Sequence, residues 1–124
     1  VVDEAALHRC LGGPRVMAAQ LHALLRVSEA PRHSLQVIPF EAGGYAGLDG
    51  PFTVLSYGPP VELEVVALEH LESRQYVESP EQVKRYREVF DSLTATALSP
   101  EESQELIARI AREHERRYAT EVAG

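Results

Sequence analysis

A histidine and the chain's one cysteine lie two positions apart, as His8 and Cys10. Both side chain types bind metals, but a zinc site takes about four ligands, usually from paired motifs. The remaining histidines are His22, His33, His70 and His114. Their wide spacing means that only the fold could bring them together. We therefore predict no metal site and no cofactor, and expect surface histidines and a half-buried cysteine.

Catalytic groups are equally sparse in this sequence. It holds no G-x-S-x-G nucleophile motif, and Cys10 with a distant histidine is a pairing that small proteins offer by chance. Two carboxylates a few ångströms apart would be needed for acid and base catalysis. The carboxylates around one apolar run are Glu62, Glu64, Glu69 and Glu72. Strand alternation places Glu69 opposite the others, which is typical of a solvated rim, so we predict no catalytic residue and no enzyme.

Two other carboxylates suggest binding rather than catalysis. Glu69 ends the apolar run VVAL, and Glu4 closely follows Val1 and Val2. If the first and fourth strands are neighbours, both carboxylates lie at one end of the sheet. There they could hold a basic group of a partner or a helix N-terminus.

A glycine-rich loop is the most informative segment of the chain. The strand-like runs LQVIPF and PFTVLSY flank the glycines Gly43, Gly44, Gly47 and Gly50. Glycine lets the backbone adopt positive φ and approach other groups closely, so such a loop can present a surface or cover a pocket. The loop lacks the Lys-Ser/Thr of a phosphate-binding loop. The alternative is an ordinary hairpin loop that glycine keeps wide.

Aromatic and apolar side chains in and around this loop are candidates for a ligand pocket or an interface. Phe40 and Phe52 bracket the loop, although they could simply pack together at its base. With the two carboxylates above, the predicted ligand- or partner-binding residues are Glu4, Phe40, Tyr45, Leu48, Phe52 and Glu69.

The pattern of apolar residues predicts the order β-α-β-β-β-(β)-α-α. Gly12-Gly13-Pro14 begins a helix that ends near Ala30, because Pro31 follows. Ser-Pro-Glu capping motifs at Ser79 and Ser99 begin the last two helices. The first strand, helix and second strand favour a parallel crossover, and the central strands an antiparallel meander. We predict an α+β fold with a small mixed sheet and helices mainly on one face.

Length and charge limit the function classes. The chain of 124 residues is long enough for one domain, 1–124, and its charge of −7 argues against direct nucleic-acid binding. No segment approaches the ~18 apolar residues of a membrane helix, and a single cysteine fits a reducing, cytoplasmic compartment. The start at Val1 without Met indicates a piece of a longer protein.

The order and spacing of several segments resemble the C-terminal domain of actinobacterial Xre-type helix-turn-helix regulators, a group that includes WhiJ-like and antitoxin-like transcriptional regulators. The resemblance covers about Val1 to Ile110. The segments are VVDEAAL, GGPRVMAAQLHALL, LQVIPF, GPFTVLSY, VVALE and YREVFDSLTATALSPEES.

This resemblance implies a regulatory domain that senses a ligand or a small partner protein encoded nearby. DNA would be bound only through an N-terminal domain that this chain lacks. A homo-oligomer is expected, because core faces left uncovered in a fragment favour self-association. Two alternatives remain: an enzyme-derived fold with a residual hydrolase-like pocket, and a pure dimerisation module.

Overall fold

A computed structural model describes residues 1–45 and 50–123. Its helices are α1 (Glu4–His8), α2 (Pro14–Glu29), α3 (Pro80–Thr96) and α4 (Pro100–Ala123). Its strands are β1 (Val2–Asp3), β2 (Val37–Ile38), β3 (Phe52–Tyr57), β4 (Leu63–Glu69) and β5 (Arg74–Val77). This combination of helices with small sheets confirms the predicted α+β class.

The chain divides into two compact units. The helical unit comprises Val1–Gly43 and Thr96–Gly124, and thus β1, α1, α2, β2 and α4. The sheet unit comprises Gly44–Ala95, and thus β3, β4, β5 and nearly all of α3. The sheet unit is therefore one continuous segment, whereas the helical unit is assembled from both ends of the chain.

The core of the helical unit lies mainly between α2 and α4. Apolar residues of these helices recur every three or four positions, so they form one face of each helix. The buried cluster consists of Leu7, Met17, Leu21, Val37, Leu106, Ile107, Ile110 and Ala111. Beside it β1 and β2 pair in parallel, with Val2 opposite Val37, which confirms the predicted parallel arrangement.

The start of α2 follows from its sequence. Gly13 precedes the helix with φ of 92°, a conformation that favours glycine, and Pro14 occupies the first turn, where a missing N–H costs little. The helix ends at Glu29, with Ala30 in an extended conformation ahead of Pro31. The predicted boundaries of this helix are thus confirmed.

A capping box begins α4. The backbone N–H of Glu102 donates to Oγ of Ser99 at 3.1 Å, and the N–H of Ser99 donates to Oε1 of Glu102 at 3.3 Å. Each bond satisfies a donor that the first helical turn would leave unpaired.

Replacing Ser99 with alanine should therefore lower the free energy of unfolding by about 1 kcal/mol. Urea denaturation followed by circular dichroism measures this change. Ser73→Ala is a suitable control, because Ser73 is an exposed residue outside the helices. An unchanged midpoint for Ser99→Ala would show that the capping box contributes nothing to stability.

Strand β2, in addition to its pairing with β1, is bonded to Leu98 and to Ser103 in the first turn of α4. The buried hydroxyl of Ser103 accepts a hydrogen bond from the N–H of Val37 at 2.9 Å, and the N–H of Leu98 donates to Val37 O at 2.9 Å. Gln36 Nε2 adds a bond to Leu98 O at 3.0 Å. The hydroxyl of Ser103 and the backbone N–H of Leu98 therefore pair the N–H and C=O of Val37, which a neighbouring strand would pair in a longer sheet.

The sheet unit is an antiparallel meander with the order β3-β4-β5. Its register places Phe52 opposite Leu68 and Val66 opposite Val77. Because side chains alternate along a strand, one face of the sheet carries the apolar side chains that pack against α3. This cluster consists of Val66, Val77 and Val83, with Phe52, Val54, Leu68 and Tyr86 packed against it.

The structure corrects one predicted arrangement of strands. The described strands divide between two sheets, β1-β2 and β3-β4-β5, so the first and fourth strands are not neighbours. The physical reason is the shortness of β2: after Pro39 the chain enters a 3-10 turn at Phe40–Ala42 instead of continuing the strand. The glycine-rich segment consequently joins two different sheets and is not a hairpin loop.

Candidate functional site

A cleft of about 460 Å³ lies in the sheet unit. Its aromatic floor is formed by Phe52 and Tyr86, whose rings meet edge to face with centroids 5.3 Å apart. The residues that line it are Gly50, Pro51, Phe52, Leu68, Glu69, His70, Tyr86 and Val89. A concave surface with apolar walls and a few polar groups at its rim is the usual form of a binding site.

The meander and α3 together position this cleft. Phe52 and Leu68 are direct partners in the β3–β4 ladder, so they lie side by side on the face that packs against α3. Tyr86 and Val89 are three residues apart on α3 and therefore share one side of that helix. A turn closed by a bond from His70 N to Ser73 O at 2.8 Å places His70 at the rim.

The charge at the rim is paired. Arg74 Nη2 donates to Oε1 of Glu69 at 2.5 Å across the β4–β5 ladder. Hydrogen bonds to Tyr76 and to Glu69 raise the pKa of Arg74 above its usual value, and the negative charge of Glu69 adds to this effect. Because the carboxylate of Glu69 is paired with Arg74, this part of the rim carries little net charge. The apolar walls of the cleft can therefore accept an apolar group.

The predicted site residues divide between the two units. Phe52 and Glu69 line the cleft, whereas Glu4 and Phe40 belong to the helical unit. Tyr45 is half-buried in the sheet unit. Leu48 lies outside the described residues. The proposed pairing of Glu4 with Glu69 at one end of a sheet is wrong, because β1 and β4 belong to separate sheets.

Glu4 has local partners of its own. This buried carboxylate accepts a hydrogen bond from Phe40 N at 3.0 Å, and its other oxygen lies 2.8 Å from His8 Nε2. The His8 ring stacks on Phe40 with centroids 5.4 Å apart. Glu4 thereby ties α1 to the 3-10 turn. It also lines a second cleft, of about 440 Å³, with Glu41, Glu102, Glu105 and Arg109 among its neighbours.

The positions of two side chains were not predicted from the sequence. Tyr86 is not among the predicted site residues, yet its ring forms part of the floor of the cleft. His114 was expected at the surface, but it is 2% exposed, and its Nε2 donates to Leu7 O at 3.0 Å. The signal for His114 was present, because it continues the helical spacing of Ile107 and Ala111 on the buried face of α4.

Residues 1–45 and 50–123 contain neither a candidate metal-binding cluster nor a candidate membrane-spanning helix. There, no group of three or more His, Cys, Asp or Glu side chains could hold a metal ion. In the same part of the chain, no helix has both the length and the apolar character needed to cross a membrane. Cys10 is a free, half-buried thiol.

Comparison with known proteins places the chain in a family. Neither the curated proteins nor the solved structures compared with the chain include a match. A protein-family model does match, over residues 1–109, and its description is "Domain of unknown function (DUF5753)". This match covers the helical unit up to the middle of α4 and the whole sheet unit. The chain therefore belongs to the DUF5753 family.

Proposed function

We propose that this chain is the ligand- or partner-sensing regulatory domain of a cytoplasmic helix-turn-helix transcriptional regulator. The observation that carries the proposal is the cleft of the sheet unit, with its Phe52–Tyr86 floor and charge-paired rim. Such a cleft suits the apolar side chain of a small partner protein or an apolar small molecule.

Two further observations support this role. The segments from VVDEAAL to ALSPEES resemble the C-terminal domain of Xre-type regulators, in order as well as in sequence. The charge of −7 suits a domain that leaves the DNA backbone to a separate, basic domain. Sensing in one domain and DNA binding in another would let occupancy of the cleft control the regulator.

The experiment is calorimetric titration of this protein with the small protein encoded beside its gene. Val89→Gln places a polar amide in the cleft wall and should weaken binding at least about tenfold, because an apolar contact is lost. Val27→Gln is the matched control: it makes the same change on an exposed position of α2 in the helical unit. Its affinity should equal that of the unsubstituted protein.

Two results would contradict the proposal. One is the absence of binding to the neighbour-encoded protein together with no change in thermal stability when apolar small molecules are screened. The other is equal affinity of the Val89→Gln and Val27→Gln proteins, which would place binding away from the cleft. Turnover of an ester or amide substrate that Cys10→Ser abolishes would instead favour the enzyme-derived alternative.

A further inference from the structure

Strand β3 forms one edge of the meander, and along its outer side it pairs with no other strand of the described residues. An unpaired edge presents a row of backbone N–H and C=O groups to any strand that approaches. Proteins usually protect such an edge with lysine, an internal proline or a bulge. The six residues of β3, FTVLSY, contain no charged residue and no proline. This edge therefore carries no lysine or proline that would oppose strand addition.

The electrostatics of the sheet favour a particular partner. The chain carries a net charge of −7, so two copies repel one another at long range. Within the sheet, however, Glu64 is paired with Arg87 at 2.8 Å and Glu69 with Arg74 at 2.5 Å. The sheet beside β3 thus has its ionic groups compensated, and two such edges can meet without opposing carboxylates.

We propose that β3 is the homodimerisation edge of this protein: a second copy adds its own β3 antiparallel to it. The three strands of each copy then form one continuous sheet. An uncharged edge offers no ionic attraction to an acidic or basic peptide, whereas a second copy of β3 is itself uncharged and brings no charge to the edge. The proposal is independent of the sensing role assigned to the cleft.

The twofold symmetry of the proposed dimer limits the register in which the two β3 strands can pair. Two antiparallel edge strands are related by a twofold axis perpendicular to the sheet, so residues on the same face lie opposite one another. The axis therefore passes midway between the two copies of one residue near the middle of the strand, either Val54 or Leu55. In both registers the α3 helices of the two copies cover the same face of the joined sheet, because each packs on the face that carries Val54.

Sedimentation velocity between about 1 and 100 µM tests the proposal. Lysines introduced on β3 should repel one another where the two edges meet and so weaken the dimer. The unsubstituted protein should sediment as a dimer at the upper concentrations. Thr53→Lys combined with Ser56→Lys, both at exposed positions of β3, should weaken the dimer at least about tenfold. The matched control is Ser73→Lys with Gln75→Lys, which adds the same charge at and just before β5 on the opposite edge. It should leave the dimer unchanged.

Amide hydrogen exchange provides a second measurement that needs no substitution. Exchange at β3 should slow as the protein concentration rises through the dimerisation range, because pairing protects the outward-facing N–H groups. Exchange at β5 should not depend on concentration. A monomer at all concentrations, or a dimer that resists the β3 lysines as well as it resists the β5 lysines, would overturn the proposal. Concentration-independent exchange at β3 would do the same.

Discussion

Replacing Ile107 with alanine should lower the free energy of unfolding of the helical unit by about 2–5 kcal/mol. Ile107 is fully buried in the first half of α4 and belongs to the same cluster as Leu21 and Val37. Removing its side chain beyond Cβ takes away apolar burial and leaves a cavity that the surrounding helices can fill only in part. Because natural domains are stable by about 5–15 kcal/mol, this loss is a large fraction of the total.

Urea denaturation followed by the circular dichroism of the helices measures this loss. Val122→Ala is the control on the same helix, since Val122 is 68% exposed, and we expect it to change stability by less than about 0.5 kcal/mol. Equal midpoints for the two variants would mean that α4 does not pack against α2 as described.

The second large effect is expected at Ser103. Ser103→Ala should cost about 1–3 kcal/mol, because it removes the acceptor of the buried Val37 N–H and leaves that donor without its partner. We expect Ser103→Ala to expose the Val37 amide locally as well as to lower the stability of the whole protein. The amide of Val37 should exchange with solvent faster in the variant than in the unsubstituted protein, since the bond that holds β2 to α4 is gone.

Ser73→Ala again serves as the control, because this exposed serine contributes only a backbone carbonyl, to the turn after β4. A Ser103→Ala protein of unchanged stability, with the Val37 amide still protected, would show that another group accepts this hydrogen bond. Ser103→Thr keeps the hydroxyl and should retain protection of the Val37 amide, even if its extra methyl group costs packing energy.

Local sequence signals predicted the elements of the fold well. Gly13-Pro14 sets the start of α2, and the Ser99 capping box sets the start of α4. Alternation in FTVLSY sets the faces of β3. Each of these signals acts within one or two turns of chain, where backbone conformation depends on neighbouring residues. They were therefore readable without knowledge of the tertiary structure.

The pairing of strands was less predictable, because it depends on contacts between distant segments. Besides its pairing with β1, β2 is held by bonds to Leu98 and Ser103, more than sixty residues away. No feature of LQVIPF indicates these bonds. The same limit applies to the site. Phe40 and Phe52 were predicted because they bracket the glycine-rich loop, whereas Glu4 and Glu69 were paired through a wrong strand order. Of these four residues, Phe52 and Glu69 line the cleft. Tyr86 was missed because core and cleft residues share one helical spacing.

The division of the chain has a consequence for synthesis on the ribosome. The sheet unit is one uninterrupted segment, Gly44–Ala95, whereas the helical unit closes only with α4 at the end of the chain. Domains are completed in the order in which their residues emerge. The sheet unit therefore has all of its residues before the helical unit does. Until α4 is made, the apolar faces of α1 and α2 have no α4 to cover them. Synthesis therefore produces α1 and α2 before the helix that covers their apolar faces.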